Sequence, residues 1–120
     1  MSWKGTNVPV PLYQAKAEFF RSMGHPARIR VLELLAEQDL PVHALLSRIE
    51  IAPSNLSQQL SVLRRAGLVT QHRDGSAVIY SLALPEVRDL LLAARRILET
   101  KHATGAQLVD EITRHSGQRS

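Results

Sequence analysis

The residues from Pro53 to Gly67 carry the side chains best suited to bind another molecule. Leu56, Leu60 and Leu63 repeat at i, i+4 and i+7, which predicts a helix with one narrow apolar stripe. Its opposite side carries Ser, Asn, Gln and Arg side chains and no acid. Asn and Gln amides can pair with adenine, and Arg with guanine or phosphate. The pattern therefore favours a helix that reads DNA, and an ordinary solvated helix is the alternative.

The sequence also marks the two ends of this helix. Ser54 is a good N-cap residue, because its hydroxyl can accept hydrogen bonds from the free amides of the first turn. Gly67 suits the position just after the helix, where a left-handed backbone conformation is common.

Composition limits the class of protein. The chain has 120 residues, enough for one domain, and is 44% hydrophobic but 4% aromatic, which predicts an aliphatic, mainly helical core. The net charge of +4 favours an anionic partner. The absence of Cys excludes disulfides, thiolate metal sites and Cys nucleophiles. We find no apolar run of membrane length and no signal peptide, so the cytoplasm is the expected location.

Helical periodicity dominates the region before the polar helix. Residues 1–11 are predicted to be a flexible arm. Helices are predicted at Leu12–Met23, Ala27–Glu37 and Val42–Ile49, with a turn at Gln38–Pro41. The third of these helices and the polar helix are joined by a short link, which makes them a helix-turn-helix candidate.

The periodicity changes to two after the polar helix. It predicts strands over Leu68–His72 and Ala77–Leu82, with Asp74-Gly75 between them as a hairpin turn. From residue 51 to residue 82, Asp74 is the one acid against three arginines. The positive charge therefore falls on the predicted helix and hairpin.

A long amphipathic helix is predicted from Pro85 to about Lys101. Its apolar stripe consists of Val87, Leu90, Leu91, Ala94, Ile97 and Leu98. A long helix beside a small domain needs a partner surface, and a second copy of the chain is the simplest one. Residues 12–103 thus form the predicted domain with its dimerisation helices. Residues 104–120 are predicted to be a helical tail with a frayed end.

Several short runs stand in a characteristic order along the chain. They are His25–Leu32, Ser54–Leu60, Leu63–Val69, Arg73–Gly75 and Ile79–Leu82. In this order they resemble the ArsR-type family of bacterial winged-helix repressors. The resemblance implies a mainly α fold with a small β-hairpin. This fold is a winged helix-turn-helix that dimerises through its first and last long helices.

The resemblance also implies a function and a set of contacts. It implies a sequence-specific DNA-binding regulator, a repressor by family default, that acts as a homodimer on a roughly palindromic double-stranded operator. The two reading helices would enter major grooves about 34 Å apart. The implied DNA contacts are Arg28, Ser54, Asn55, Ser57, Gln58, Gln59, Arg64, Arg65, His72, Arg73 and Ser76. The implied dimer contacts are Leu12, Phe19, Phe20, Leu90, Leu91, Ala94, Ile97 and Leu98.

Four of the implied DNA contacts have a structural alternative. Gln59 lies close to the apolar stripe and can pack in the core. Arg28 can bridge helices within the fold, Arg64 can pair with an acid, and Ser54 can serve as a cap alone.

Metal sensing, which many members of the family perform, has weak support in this sequence. His43 stands alone where one family site has Cys. Of Leu84, Glu86, Ile97 and Thr100 at the other site, Glu86 alone could bind a metal. The remaining weak candidates for nickel or zinc are Glu99, His102, Asp110 and His115, and the alternative is that they are solvated.

Three functions stay open on the sequence. The first is a dimeric DNA-binding regulator that responds to a small molecule, a partner protein or nothing. The second is a nickel- or zinc-responsive regulator, with no cofactor certain. The third is a winged-helix module for protein interaction, which the lack of acids on the polar helix disfavours. An enzyme is not expected, since the sequence has no Cys, no phosphate-binding Gly loop and no metal-binding His pair.

Overall fold

The computed structural model of the chain describes residues 10–102. In this range it contains five helices and three strands. They are α1 (Leu12–Met23), α2 (Pro26–Glu37), β1 (Leu40–Pro41), α3 (Val42–Leu46), α4 (Pro53–Arg65), β2 (Val69–Asp74), β3 (Ala77–Leu82) and α5 (Glu86–Lys101). The strands form one antiparallel sheet in the order β1-β3-β2. This arrangement is a winged helix-turn-helix, and the predicted fold class is confirmed.

The core of the domain is built around α2. Val31, Leu32, Leu34 and Leu35 are all buried, and the helix contacts α4, α5 and β3. Burial on successive positions means that α2 is enclosed on more than one side, as expected for a central helix.

The start of α2 is fixed by a cap and a proline. The Nδ1 atom of His25 accepts a hydrogen bond from the backbone amide of Ala27 at 3.0 Å. Pro26 occupies the first turn, where its missing N–H costs nothing. α2 therefore begins at Pro26, one residue before the start at Ala27 that the sequence predicted.

The apolar stripe of α4 packs as predicted. Leu56, Leu60 and Leu63 are fully buried in the common core, so the polar side of the helix is turned outward. Beyond its end, Gly67 has a φ of 77°, and its amide donates to the carbonyl of Arg64 at 3.0 Å. The amide of Leu68 donates to the carbonyl of Leu63 at 3.0 Å, which completes a Schellman cap.

The hairpin of β2 and β3 forms the wing. Asp74 lies opposite Ala77, so the turn consists of Gly75-Ser76, and Gly75 has a φ of 64°. A two-residue hairpin turn favours glycine at such a position. Val69 is the one buried residue of β2, so most of that strand is exposed.

Two predictions around α3 are wrong. The predicted turn at Gln38–Pro41 contains β1, in which Leu40 pairs with Tyr80 and Pro41 with Ile79. A two-residue strand is too short to show a period, and Pro41 is tolerated because the strand lies at the sheet edge. The third helix ends at Leu46 and not at Ile49. The hydroxyl of Ser47 donates to the carbonyl of Ala44 at 2.7 Å, a local bond that competes with further helix.

Two further boundaries differ from the sequence prediction. Ser54 is not the N-cap of α4, because the helix begins at Pro53 and Ala52 occupies the cap position without a side-chain hydrogen bond. The first strand of the hairpin covers Val69–Asp74 and not 68–72. Leu68 belongs to the helix cap, and the tight turn lets the strand continue as far as Asp74.

Candidate nucleic-acid interface

The outer face of α4 presents a row of small polar and amide side chains. Ser54, Asn55, Ser57 and Gln58 are all exposed, opposite the buried leucines. None of the 13 residues of the helix is acidic. Hydroxyl and amide groups can both donate and accept hydrogen bonds, so this face can match the mixed donors and acceptors of a DNA groove.

Positive charge lies at the C-terminal end of α4 and on the wing that follows it. Arg64 and Arg65 are exposed in the last turn of α4, where cations also interact favourably with the helix dipole. On the wing, His72, Arg73 and Ser76 are exposed on the hairpin. The predicted contact residues on α4 and the wing are therefore exposed to solvent, with the exception of Gln59.

Gln59 differs from its neighbours on α4. It is 8% exposed and lies on the core side of the helix. Its Oε1 accepts a hydrogen bond from Nη1 of Arg28 at 2.8 Å, and its Nε2 donates to Oδ1 of Asn55 at 3.1 Å. Gln59 thus connects α2 to the exposed face of α4. This agrees with the alternative that Gln59 packs in the core and does not contact DNA.

Arg28 is held within the fold by three hydrogen bonds. Besides Gln59, its Nε donates to the carbonyl of Ser22 at 2.8 Å and its Nη2 to that of Arg21 at 3.4 Å. The guanidinium therefore joins the end of α1, the body of α2 and α4. This position favours a bridging role over the predicted phosphate contact.

The chain of hydrogen bonds fixes what Asn55 can offer a ligand. A guanidinium only donates, so the atom of Gln59 that faces Arg28 must be the carbonyl oxygen. The amide nitrogen of Gln59 then faces Asn55 and requires an acceptor there. Asn55 consequently uses its oxygen internally and presents its NH₂ group as a donor to the outside.

The predicted dimer residues fall into two groups. Leu12, Phe20, Ala94, Ile97 and Leu98 are exposed on α1 and α5, with Phe20 at 53% and Ile97 at 63%. The other three, Phe19, Leu90 and Leu91, are half-buried against the core of their own chain. The two helices thus both stabilise the domain and leave apolar side chains uncovered.

Two of the four weak metal candidates, Glu99 and His102, lie within the described residues. Residues 10–102 contain no group of three His, Cys, Asp or Glu side chains that could hold a metal ion. Glu99 accepts a hydrogen bond from Nε of Arg95 at 3.3 Å, and His102 follows the end of α5. Asp110, His115 and the predicted tail lie outside the described residues, as does most of the predicted arm.

Sequence reasoning did not single out Arg48. It is exposed in the link between α3 and α4, inside the helix-turn-helix unit. The sequence signal that could have identified it is a basic residue in that link.

No helix within residues 10–102 has the length and apolar character required to cross a membrane.

Comparison with known proteins agrees with this geometry. Residues 25–71 match the family described as bacterial regulatory protein, arsR family. The uncharacterized HTH-type transcriptional regulator Rv0081 of Mycobacterium tuberculosis is 58% identical over 89 residues, which are 73% of this chain and 78% of that protein. Its crystal structure superposes with a TM-score of 0.72 at 52% identity and covers 82% of this chain and 99% of that one.

Two more distant relatives have the same fold. HlyU of Vibrio cholerae, a transcriptional activator, is 34% identical in its solved structure, with a TM-score of 0.65 over 73% of this chain and 97% of that one. The transcriptional repressor BigR of Xylella fastidiosa is 30% identical, with a TM-score of 0.67 over 71% of this chain and 87% of that one.

These similarities, together with the helix-turn-helix and wing, define the class. The chain belongs to the arsR family of bacterial regulatory proteins, and it is a winged helix-turn-helix transcriptional regulator.

Proposed function

We propose that this regulator binds a roughly palindromic DNA operator as a homodimer and represses transcription from it. The observation that carries the proposal is the exposed, acid-free face of α4 with its amide and hydroxyl groups. The fully buried leucine stripe on the opposite side of the helix holds this face in place. Rigid support of this kind positions side chains for groove recognition. Regulation of this kind acts where the bacterial chromosome lies, in the cytoplasm.

Base readout is assigned to the first half of α4. Gln58 can offer a donor and an acceptor to one base edge, as for adenine, and Asn55 offers a donor. Ser54 and Ser57 flank them and suit either bases or backbone. Arg64, Arg65 and the wing residues His72, Arg73 and Ser76 supply contacts that hold the phosphate backbone.

Arg28 and Gln59 have an indirect part in this proposal. The hydrogen bonds that they make to α1, to one another and to Asn55 hold the reading helix in place. We therefore assign them to positioning, in line with the bridging and packing alternatives, and not to the direct DNA contacts that the family resemblance implied.

Dimerisation is assigned to the exposed apolar side chains of α1 and α5. Large apolar groups such as Phe20 and Ile97 are unfavourable in water, and burial against a second copy removes them from it. A symmetric dimer presents two copies of α4, which matches a palindromic operator. Repression follows when the occupied operator overlaps a promoter, and BigR is a relative known as a repressor.

The test is a titration of the full chain against the DNA upstream of its own gene and against a scrambled duplex. Each titration is done at two salt concentrations, with nickel, with zinc and with a chelator. Tighter binding to the upstream DNA, with two protomers per site, supports the proposal. Equal, salt-sensitive binding to both duplexes contradicts sequence-specific recognition at that site, and no binding at all favours a protein-interaction module.

The titrations with nickel, zinc and chelator distinguish a metal-responsive regulator from one that does not respond to metal. Operator affinity that changes with nickel or zinc, and returns with the chelator, would assign regulation to a metal. A reporter gene downstream of the operator then shows whether the protein represses or activates transcription. Higher expression without the regulator is expected, and lower expression would identify an activator.

A further inference from the structure

An open pocket of about 490 Å³ lies between α2, α5 and the link that precedes α4. Its size is that of a small-molecule site. It is separate from the outer face of α4, and the function proposed above makes no use of it.

Positively charged side chains dominate the lining of this pocket. Arg30 comes from α2, Arg48 from the link, and Arg88 and Arg95 from α5. The acids in the lining are Glu33 and Glu37, so the charged lining carries a net charge of +2. Four arginines in one small pocket repel each other, and an anion that binds among them relieves this repulsion.

The hydrogen bonds of these arginines leave donors for a ligand. The Nε atom of Arg88 donates to the carbonyl of Ala36 at 2.8 Å, and Nε of Arg95 to Glu99 at 3.3 Å. Each guanidinium carries five N–H donors, so one bond through Nε leaves the two terminal nitrogens. Two nitrogens side by side are the group that binds carboxylate or phosphate in two parallel hydrogen bonds.

Arg30 provides an independent sign that a partner is missing. Its Nη1 pairs with Glu33 at 3.1 Å, but its Nε is buried and has no hydrogen-bond partner among the described residues. A buried donor without a partner is unfavourable. Because this Nε has no exposed surface, an anion in the pocket can accept its hydrogen bond only after the guanidinium turns outward.

The lining also has an apolar part. Leu34, Leu91 and Leu92 line the same pocket, and Leu92 is left substantially exposed on α5. A ligand that covers Leu92 gains from the removal of this surface from water. The pocket thus suits a molecule with both an anionic and an apolar portion.

The pocket touches the parts of the fold that regulation would have to connect. Arg48 lies in the link that leads into α4, and α2 is joined to α4 through Arg28 and Gln59. The arginines of α5 lie on the helix whose exposed apolar side is assigned to the dimer interface. A ligand bridging these elements interacts differently with the chain as their relative positions change, which is the requirement for coupling.

We propose that this pocket binds a small organic dianion with an apolar portion, a dicarboxylate or a phosphate monoester, and that its binding alters operator affinity. The binding step stands independently of the proposed function. The regulatory step rests on it.

The test uses the full chain without DNA, in about 0.15 M salt so that loose ion pairing is screened. Hexyl phosphate, hexanedioate, hexanoate and hexanol are titrated in turn and followed calorimetrically and by amide chemical shifts. We expect a Kd below about 1 mM for one or both dianions, weaker binding of hexanoate and none of hexanol. The tighter of hexyl phosphate and hexanedioate identifies the anionic group.

Variants locate the site. Arg95→Gln and Arg48→Gln are expected to weaken dianion binding about tenfold each, since each removes a charge-assisted contact. Arg96→Gln is the matched control, because Arg96 is exposed on the same helix and does not line the pocket. Equal weakening by Arg96→Gln, or no dianion binding up to about 10 mM, overturns the site.

The regulatory step is tested with operator DNA and the tighter dianion. A change in operator affinity of at least about fivefold, absent in Arg95→Gln, supports it. Dianion binding with unchanged operator affinity overturns the regulatory step alone. Failure of DNA binding itself is seen without any dianion and concerns the proposed function instead.

Discussion

The Nη1 atom of Arg28 donates to Oε1 of Gln59 over 2.8 Å and joins two helices that are 31 residues apart in the chain. The same Gln59 holds Asn55, so a residue of the central helix determines which atoms of α4 face outward. The outer face of α4, for which we propose DNA contact, is therefore arranged partly by Arg28 and Gln59.

This relationship predicts energetic coupling between Arg28 and Gln59. Gln59→Leu keeps a similar volume but removes the acceptor, and we expect a loss of about 1–3 kcal/mol in the free energy of unfolding, measured in urea. In a double-mutant cycle with Arg28→Met, the double variant should be more stable than the sum of the single losses by about 0.5–3 kcal/mol. Additive losses would mean that the two side chains do not depend on each other.

Gln58→Ala should reduce specific recognition. We expect a loss of about 1–3 kcal/mol in operator binding and a relaxed preference at one base pair, because one base edge loses its partner. Gln38→Ala is the matched control, since Gln38 is an exposed glutamine beyond the end of α2. If Gln58→Ala weakened scrambled DNA by the same factor, Gln58 would not be a base-reading residue.

Arg73→Ala should weaken binding to all DNA sequences alike. Loss of one phosphate contact is expected to lower the slope of log K against log salt concentration by about one. Arg96→Ala removes the same charge from α5 and should leave the slope unchanged. A slope for Arg73→Ala equal to that of the unaltered protein would exclude this wing residue from the contacts.

Ile97→Glu should dissociate the dimer. This exposed side chain is expected to lie in an apolar interface, where a carboxylate would have to be buried without a partner. Sedimentation velocity should show a monomer at concentrations where the unaltered protein is dimeric. Arg95→Gln makes the same change of charge at an exposed position two residues away, about 160° round α5 from Ile97, and should leave the dimer intact. Dimers of equal strength in both variants would move the interface elsewhere.

Gly67→Ala should destabilise the domain by about 1 kcal/mol through the backbone alone. The φ of 77° is unfavourable for residues with a Cβ, and a Cβ built there meets no atom of the described structure within 4 Å. Gly67→Asn should lose less, because Asn tolerates this conformation better. Thermal unfolding of both variants checks the order, and equal losses would point to a cause other than φ.

The sequence predicted those elements of the fold whose apolar residues recur at a regular spacing. Leu56, Leu60 and Leu63 share one helix face by spacing alone, so the exposed face of α4 followed from local information. The glycines at the end of α4 and in the wing turn were equally local signals. The predicted helices and hairpin were therefore confirmed in outline.

The errors lie where secondary structure depends on a residue distant in the sequence or on a competing local interaction. Leu40 and Pro41 form a strand because Tyr80 and Ile79 lie beside them, which no local period reveals. Ser54 is not the N-cap residue because α4 begins one residue earlier, at Pro53. The sequence allowed Gln59 to pack in the core and Arg28 to bridge helices, but the two residues lie on different helices, so local spacing could not pair them.

The short strand β1 has a consequence for how this regulator could be changed. Leu40 lies opposite Tyr80, so the chain enters the helix-turn-helix and wing at nearly the same place where it leaves them. Residues 40–82 thus form a cassette with adjoining ends. A cassette from a relative, with the leucines that face α2 retained, could be exchanged as a single piece. The recipient would keep its own α1, α2 and α5 and acquire the DNA preference of the donor.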